Sequence, residues 1–265
     1  MINLVLGFSR NFHKIDDNFL QKFNSYEIKD PSYFRFIKNK QYLYHSNYSI
    51  TLDDVHSLIK HEINDLLPKN LKFKRISFDI GPSYSIVNVK NNMYYPKSNF
   101  LEKHTIISIL ESQITKLKQL FDNNVELAIE NLNFYPTGAY KNVCEPIFYN
   151  EICDKFQLFQ VLDISHLIVS CFYMNVDFKT MLDKIDHKYV KEIHLSKPNI
   201  IDKKMIDSHD IPVEDDFENL YSAIVKNKNK DIDVVIEYWQ NPSYLPTLYN
   251  NLYEFLLSKN LKVSY

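Results

Sequence analysis

Potential metal ligands stand at the ends of short apolar runs throughout the second half of this chain. They are Glu130 in AIEN, Asp163 and His166 in VLDISH, His194 in EIHLS, Asp207 and His209 in MIDSHD, and Glu237 in VVIEYW. Carboxylate and imidazole groups are the side chains with which proteins bind zinc, manganese and iron. Gathered at the ends of buried strands, such groups predict a site for more than one ion.

Two upstream residues extend this pattern, His45 in QYLYHSNY and Asp79 in FKRISFD. The full set has five carboxylates and four histidines, which is more than one ion requires. Two or three ions would share them, with bridging carboxylates holding the ions ~3.5–4 Å apart. The many oxygen ligands favour iron or manganese over Cu(I). Without cations, acidic groups so close together would repel each other and several would take up protons.

Each of these residues also has an ordinary structural interpretation. A strand histidine such as His45 often forms hydrogen bonds in a core or at its rim. Asp163 and Asp207 occupy positions typical of turns and helix caps. Glu130 and Glu237 are harder to explain in this way, because a glutamate in an apolar strand is rarely buried without a partner. Five histidines outside the pattern are expected to be structural: His13, His56, His61, His104 and His187.

The elements that would position these side chains alternate between strands and helices, which favours a parallel sheet in an α/β fold. A single (β/α)8 TIM barrel of about 250 residues suits the chain, with its active site at the C-terminal ends of the strands. We therefore predict one domain over residues 1–265, with two long polar connections, 84–103 and 196–214. The eight predicted strands are 2–6, 25–28, 41–48, 73–79, 125–130, 157–162, 190–195 and 233–237. The predicted helices are 51–66, 104–121, 145–155, 178–186, 215–226 and 245–258.

Composition excludes several classes of function. The net charge of −2 gives no overall attraction to nucleic acid or to an anionic membrane. With three glycines there is no GxGxxG motif and no Walker A motif. Cys144, Cys153 and Cys171 form no CxxC, so neither a disulfide framework nor a cysteine zinc site is expected. The apolar N-terminal run is too short for a signal or membrane segment, which predicts a soluble cytoplasmic protein.

Six segments between about residues 40 and 240 carry a family resemblance: YHSNYSI, IENLNFYPTGAY, EPIFYNEICDKFQLFQVLDISH, EIHLSKP, DSHDIPV and VIEYW. In this order they resemble the multinuclear non-haem iron-dependent oxidative enzymes related to the methanobactin biosynthetic oxidase, which are xylose-isomerase-like TIM barrels. The resemblance implies metal roles for His45, Glu130, Asp163, His194, Asp207, His209 and Glu237. His166 stands where that family often has Asn, and Asp79 stands where a His is usual.

The resemblance also implies a function. It suggests an O2-using oxidase with two or three iron ions, or alternatively zinc or manganese, and no catalytic residue beyond the metal ligands. The implied substrate is a ribosomally made peptide that contains cysteine, presented by a leader-binding partner protein. The segment 84–100 would receive this peptide.

A second resemblance is to the endonuclease IV-type apurinic endonucleases. DISH, IHL, DSH and IE satisfy the order of their ligands. This alternative implies a zinc phosphoesterase acting on abasic DNA, against which the neutral charge and scarce glycine count. A metal-dependent sugar isomerase or epimerase is a third possibility, although its Lys or His acid/base pair is not evident. A metal-binding scaffold without turnover remains the non-enzymatic alternative.

Overall fold

Eight parallel strands close into a barrel in the computed structural model of this chain. It describes residues 1–8, 14–51, 54–69, 71–90, 93–121, 124–227, 229, 231–238 and 240–265. His13 and parts of the predicted segments 51–66 and 84–103 lie outside these described residues. The barrel closes where the first strand pairs in parallel with the last, Ile2 opposite Ile232. The α/β TIM-barrel prediction is therefore confirmed.

All eight predicted strands are present, with bounds that differ by a few residues. The barrel strands are β1 (Ile2–Phe8), β2 (Ser25–Ile28), β3 (Gln41–Ser49), β4 (Phe73–Asp79), β7 (Glu126–Glu130), β8 (Phe159–Asp163), β9 (Val190–Leu195) and β12 (Ile232–Ile236). A short strand, β13 (Val263–Ser264), pairs with β1 outside the barrel.

Helices cover the outside of the barrel and bury its outer face. They are α1 (Asp17–Lys22), α2 (Val55–His61), α3 (Lys103–Leu120), α4 (Pro146–Phe156), α5 (Ile164–Met174), α6 (Phe178–Asp183), α7 (Glu214–Lys226) and α8 (Leu245–Ser258). A π-helical turn, Glu62–Leu66, continues α2. None of the helices among the described residues is long and apolar enough to cross a membrane.

Two of these helices were not predicted. The helix α1 has six residues, too few to show a helical period. The helix α5 follows β8 directly, and its apolar sequence ISHLIVSCFYM gives no contrast between a buried and an exposed face. Its start is set by Asp163, whose side chain accepts a hydrogen bond from the His166 N–H.

The two long connections contain β-hairpins, where the sequence predicted only polar loops. The first hairpin joins β5 (Val87–Lys90) to β6 (Met93–Pro96), and the second joins β10 (Lys197–Ile201) to β11 (Lys204–Asp210). Asp207 and His209 were expected in a loop, which is wrong, because they lie on β11. The second hairpin turns at Asp202 and Lys203, which both have positive φ, as a tight hairpin turn requires.

The barrel interior has a charged layer beneath an apolar one. Side chains two residues apart on a strand share a face, so Asp233, Val235 and Glu237 all point inward. Val235 packs with Val5 and Leu43 in a small cluster separate from the main core. An ionic network lies at the amino ends of the strands, and Glu192 connects it to the carboxyl ends through its contact with His194.

Arg75 is the centre of that ionic network. Its guanidinium is 3.0 Å from Asp233 and 2.9 Å from Glu192, and it also pairs with Glu126 at 2.7 Å. Lys74 adds a second cation 2.7 Å from Asp233. Since an unpaired buried charge is costly, these contacts are what allow the barrel to enclose so many ionic groups.

Candidate metal centre

The predicted ligands converge at the carboxyl ends of the barrel strands. Parallel strands in register place Asp79 opposite Glu130, and Asp163 opposite His194. Asp163 and His194 are fully buried, and the other seven line a cavity of about 370 Å³. Those seven are His45, Asp79, Glu130, His166, Asp207, His209 and Glu237.

Glu130 lies between three imidazoles. Its carboxylate is 3.1 Å from His45 Nε2, 3.3 Å from His194 Nδ1 and 3.6 Å from His166 Nδ1. Burial alone would raise the pKa of Glu130, but the histidines outweigh it and lower the pKa to about 2. A carboxylate that remains ionised and uses both oxygens is suited to bridge two ions.

Asp163 offers a free oxygen to the centre. Its Oδ1 caps α5 by accepting from the His166 N–H at 2.6 Å. Its Oδ2 is buried and has no hydrogen-bond partner among the described residues. The structural interpretation as a helix cap therefore holds for one oxygen only. A buried carboxylate oxygen without a partner is costly unless a cation binds it, so this residue fits a metal.

The second hairpin delivers Asp207 and His209 to the opposite side of the cavity. Asp207 Oδ2 is 3.3 Å from His166 Nε2 and 3.3 Å from His209 Nδ1. His209 Nε2 is 3.0 Å from Glu237 Oε2. Thus β11 carries two potential ligands on the face that it turns toward the barrel.

His45 is held in a fixed orientation on the remaining side. Its Nδ1 is hydrogen-bonded to the Ser77 hydroxyl at 2.9 Å, and its Nε2 is 3.7 Å from Asp79 Oδ1. Burial, with the nearby Lys29 cation, lowers the pKa of His45 to about 4. The ring is therefore neutral, the state in which imidazole binds a metal.

Two residues of the centre were missed by sequence reasoning, Glu27 and Lys29 at the end of β2. Glu27 is fully buried, and its Oε1 is 3.0 Å from His194 Nε2. Lys29 Nζ lies 3.2 Å from Glu27 Oε2 and is in direct contact with Glu237 Oε1. The signal was present in SYEIK, because Glu27 is a glutamate in a buried strand, like Glu130 and Glu237.

Charge in this part of the centre is finely balanced. Burial lowers the pKa of Lys29, but Glu237 and Glu27 raise it, and the result is well above its ordinary value. Burial and Lys29 likewise lower the pKa of His194, while Glu27 and Glu237 raise it, again to well above the ordinary value. Two carboxylates, Glu27 and Glu237, thus face the two groups whose positive charge they favour, Lys29 and His194.

In the part of the chain that the structure describes, four groups of three residues have ligand atoms within 4.8 Å of one another. They are Glu27–His45–His194, His45–Asp79–Glu130, Glu130–Asp163–His166 and Asp163–His194–Glu237. Asp207 and His209 lie beside these groups through their contacts with His166 and Glu237. The mixture of imidazole and carboxylate donors fits zinc, manganese or iron.

This fold and this donor set define a TIM barrel with a candidate multinuclear metal centre. Similar solved structures include the IOLI protein with a binding zinc atom, with a TM-score of 0.62, 12% identity, and coverage of 98% of this chain and 99% of that one. The xylose isomerase domain containing protein from Salmonella typhimurium has a TM-score of 0.61, 10% identity and coverage of 96% and 97%. The AP endonuclease, family 2, from Brucella melitensis has a TM-score of 0.58, 11% identity and coverage of 93% and 99%. At such identities these likenesses show the fold alone.

The sequence comparison assigns the chain to a narrower group of proteins than the fold comparison does. The model of the RiPP precursor modification enzyme family MbnB/TglH/ChrH matches residues 100–255, more than half of the chain. The chain therefore belongs to this family.

Curated relatives match shorter stretches. A UPF0276 protein of Psychromonas ingrahamii is 28% identical over 117 residues, 43% of this chain and 41% of the relative. A UPF0276 protein of Caulobacter vibrioides (strain NA1000 / CB15N) is 32% identical over 97 residues, 37% of this chain and 35% of the relative. The chain thus matches about two fifths of the length of these relatives.

Metal affinity is expected to fall as the pH drops through about 7. Burial, and repulsion from Glu130 and Glu237, raise the pKa of Asp79 and of Asp163 to about 7. A proton must leave each carboxylate before it binds a metal, so zinc should bind at least about tenfold more weakly at pH 6 than at pH 8. Zinc competition with a chromophoric chelator at these two pH values measures the difference.

The matched control is Asp79→Asn, which removes one titrating group and should make the pH dependence shallower. The folding stability of the metal-free protein should depend on pH in the opposite direction. A raised pKa in the folded state contributes stability at low pH that is lost as the pH rises through about 7. Zinc affinity that does not change between pH 6 and pH 8 would contradict the assignment.

Proposed function

We propose that this protein is a metal-dependent enzyme that oxidises a cysteine-containing, ribosomally made peptide with iron and O2. Membership of a family of RiPP precursor modification enzymes supports a peptide as the substrate. The observation that carries the metal dependence is the buried Glu130 carboxylate between three imidazoles, beside the unpartnered Asp163 oxygen. Iron with open coordination positions would supply the redox chemistry.

In this proposal the nine residues predicted from the sequence hold two or three ions. These residues are His45, Asp79, Glu130, Asp163, His166, His194, Asp207, His209 and Glu237. Ser77 would orient His45, and Glu27 and Glu192 would orient His194, whose Nε2 they approach at 3.0 and 3.2 Å. Carboxylates that fix a ligating imidazole in this way also make it a better donor.

The cavity above the centre would hold the reacting part of the peptide. Tyr94, Tyr135 and Tyr140 form one of its walls, and their rings would exclude water around the bound side chain. Tyr94 and Val89 both belong to the first hairpin and line the cavity, which supports a role for residues 84–100 in receiving the peptide. We place this activity in the cytoplasm, in a single domain of residues 1–265, with a leader-binding protein as partner.

Zinc-dependent cleavage of abasic DNA is the second candidate. It is favoured by His166, since the endonuclease resemblance has His at this position and the oxidase resemblance often has Asn. Four carboxylates at the cavity surface weigh against DNA as the substrate, because they would repel a phosphate backbone. They are Asp79, Glu130, Asp207 and Glu237. Sugar isomerisation or epimerisation has only the likeness of fold in its favour.

The oxidase proposal is tested on protein expressed and purified without oxygen. We expect iron at two or three ions per chain by elemental analysis. Mixed with O2 and a cysteine-containing precursor peptide encoded beside its gene, the enzyme should consume O2 and change the mass of the peptide. The Cys→Ser peptide should remain unmodified.

The enzyme control is Glu237→Gln, which should lose metal and peptide modification together. Zinc as the sole bound metal, combined with cleavage of a duplex that carries an abasic site, would overturn the oxidase proposal in favour of the second candidate. Unchanged metal content in Glu237→Gln would remove that residue from the proposed ligands.

A further inference from the structure

A lysine ammonium occupies one side of the candidate metal centre. Lys29 Nζ contacts Glu237 Oε1 and lies 3.2 Å from Glu27 Oε2, and its side chain is 12% exposed. Of these three residues, only Glu237 belongs to the ligand pattern of the sequence. The ammonium thus lies where a cation shared by Glu27 and Glu237 would be expected.

The backbone on both sides fixes Lys29 in this place. Its N–H donates to the Phe8 carbonyl at 3.3 Å, and its own carbonyl accepts from Asn47 Nδ2 at 2.8 Å. Phe8 ends β1, and Asn47 lies on β3, so the residue is tied to both neighbouring strands. Its side chain therefore leaves the end of β2 directly into the barrel mouth.

We propose that Lys29 is a resident cation that takes the place of one metal ion and limits this centre to two ions. The inference rests on the proposed metal-dependent function and specifies how many ions the site holds and where. Lys29 would act as a positioning residue, because it holds Glu27 and Glu237 and does not itself bind a metal.

The candidate metal groups divide according to whether they contain a carboxylate that Lys29 contacts. Two of the four contain Glu27 or Glu237, the carboxylates that the ammonium contacts: Glu27–His45–His194 and Asp163–His194–Glu237. The other two contain neither: His45–Asp79–Glu130 and Glu130–Asp163–His166. The two free groups share Glu130, which would therefore contribute to both positions on this side of the centre.

The Lys29 ammonium and a metal ion would compete most directly for one oxygen of Glu237. Glu237 Oε1 contacts Lys29 Nζ and is also 3.1 Å from His194 Nδ1. A divalent ion between His194 and this oxygen would lie within a few ångströms of the ammonium, and like charges so close together repel strongly in a buried site. While Lys29 keeps its contact with Glu237, that position is closed to metal. Glu237 could then bind an ion only through its other oxygen, Oε2, which lies 3.0 Å from His209 Nε2.

The test is the zinc stoichiometry of the full chain and its variants. The metal-free proteins are titrated with Zn2+ by calorimetry, and the bound zinc is counted by elemental analysis after desalting. We expect two ions in the wild type and three in Lys29→Met, which removes the charge and keeps a similar length. Lys29→Arg retains a cation and should bind two.

Lys40→Met is the matched control, because Lys40 lies just before β3, at the amino end of the barrel, and its ammonium donates a solvent-exposed hydrogen bond to the Gln21 carbonyl. It should bind two ions. Thermal unfolding supplies a second readout: metal-free Lys29→Met should melt below the wild type, and excess zinc should recover the difference. A role for Lys29 confined to stability would lower the melting temperature without adding an ion.

The possible outcomes separate this inference from the proposed function. A wild type that binds no zinc, and no iron in anaerobic preparations, would overturn the metal-dependent function itself. A wild type with three ions, or a Lys29→Met protein with two or fewer, would overturn the role of Lys29 and leave the function standing. If metal-free Lys29→Met does not fold, Lys29→Gln purified in zinc gives the same count, and three ions would support the inference.

Discussion

Replacing Glu130 by glutamine is expected to weaken metal binding by at least about 100-fold, the upper end of what outer-shell substitutions cost. The amide has no charge and has a single acceptor oxygen, whereas the carboxylate faces His45, His194 and His166 with both of its oxygens. The glutamine could therefore no longer bridge two ions, and it would also lack the negative charge. Competition between the protein and a chelator for Zn2+ measures the affinity, and peptide modification should fall in parallel.

Glu111→Gln is the control for this experiment. Glu111 is an exposed residue of α3 that pairs with Lys155 at 3.7 Å on the outside of the barrel. The same chemical change there should leave metal affinity within about twofold, because isolated surface pairs contribute little. Equal affinities in the two variants would show that Glu130 is not a ligand of the centre.

Replacing Arg75 by methionine is expected to have the largest effect on stability. Glu192 and Asp233 are at most 1% exposed and would remain buried without the Arg75 guanidinium. Asp233 would keep the partly exposed Lys74 ammonium as its cation, and Glu192 would keep its contact with His194. Breaking a buried ion pair from one side typically costs about 3–5 kcal/mol. For a chain of this size that lowers the Tm by about 6–20 °C, which thermal unfolding monitored by circular dichroism would detect.

The variant Lys74→Met tests whether the effect on stability depends on the burial of the cation that is removed or only on its charge. Lys74 pairs with the same carboxylate as Arg75, at 2.7 Å from Asp233, but its side chain is 31% exposed. Water can replace the lost ammonium there, so the free energy of unfolding should change by less than about 1 kcal/mol. If Arg75→Met were no less stable than Lys74→Met, the ionic network would not support the barrel as described.

The predicted strands and the convergence of the predicted ligands follow from local rules. A side-chain period of two residues identifies the inward positions, and parallel strands bring their carboxyl ends to one face. These rules place Glu130, Asp163 and His194 together without knowledge of any contact between them. Their roles as metal ligands stay predictions until metal is measured.

Elements that depend on their surroundings were not predictable in this way. The helix α5 is apolar on all sides because α6, α7 and the second hairpin pack around it, so its sequence lacks the period of a surface helix. The two hairpins lie in polar segments, and their pairing depends on where the barrel holds their ends. As a result, Asp207 and His209 were identified as site residues but assigned to the wrong element.

The sequence by itself therefore determined the barrel and the side chains gathered at its mouth, since both follow from residue type and spacing along the chain. Only the tertiary structure decided the charge balance of the centre. Lys29 and Glu237 are 208 positions apart, and Arg75 and Asp233 are 158 apart. Contacts across such separations form when β1 pairs with β12 and closes the barrel, and no local pattern in the chain specifies them.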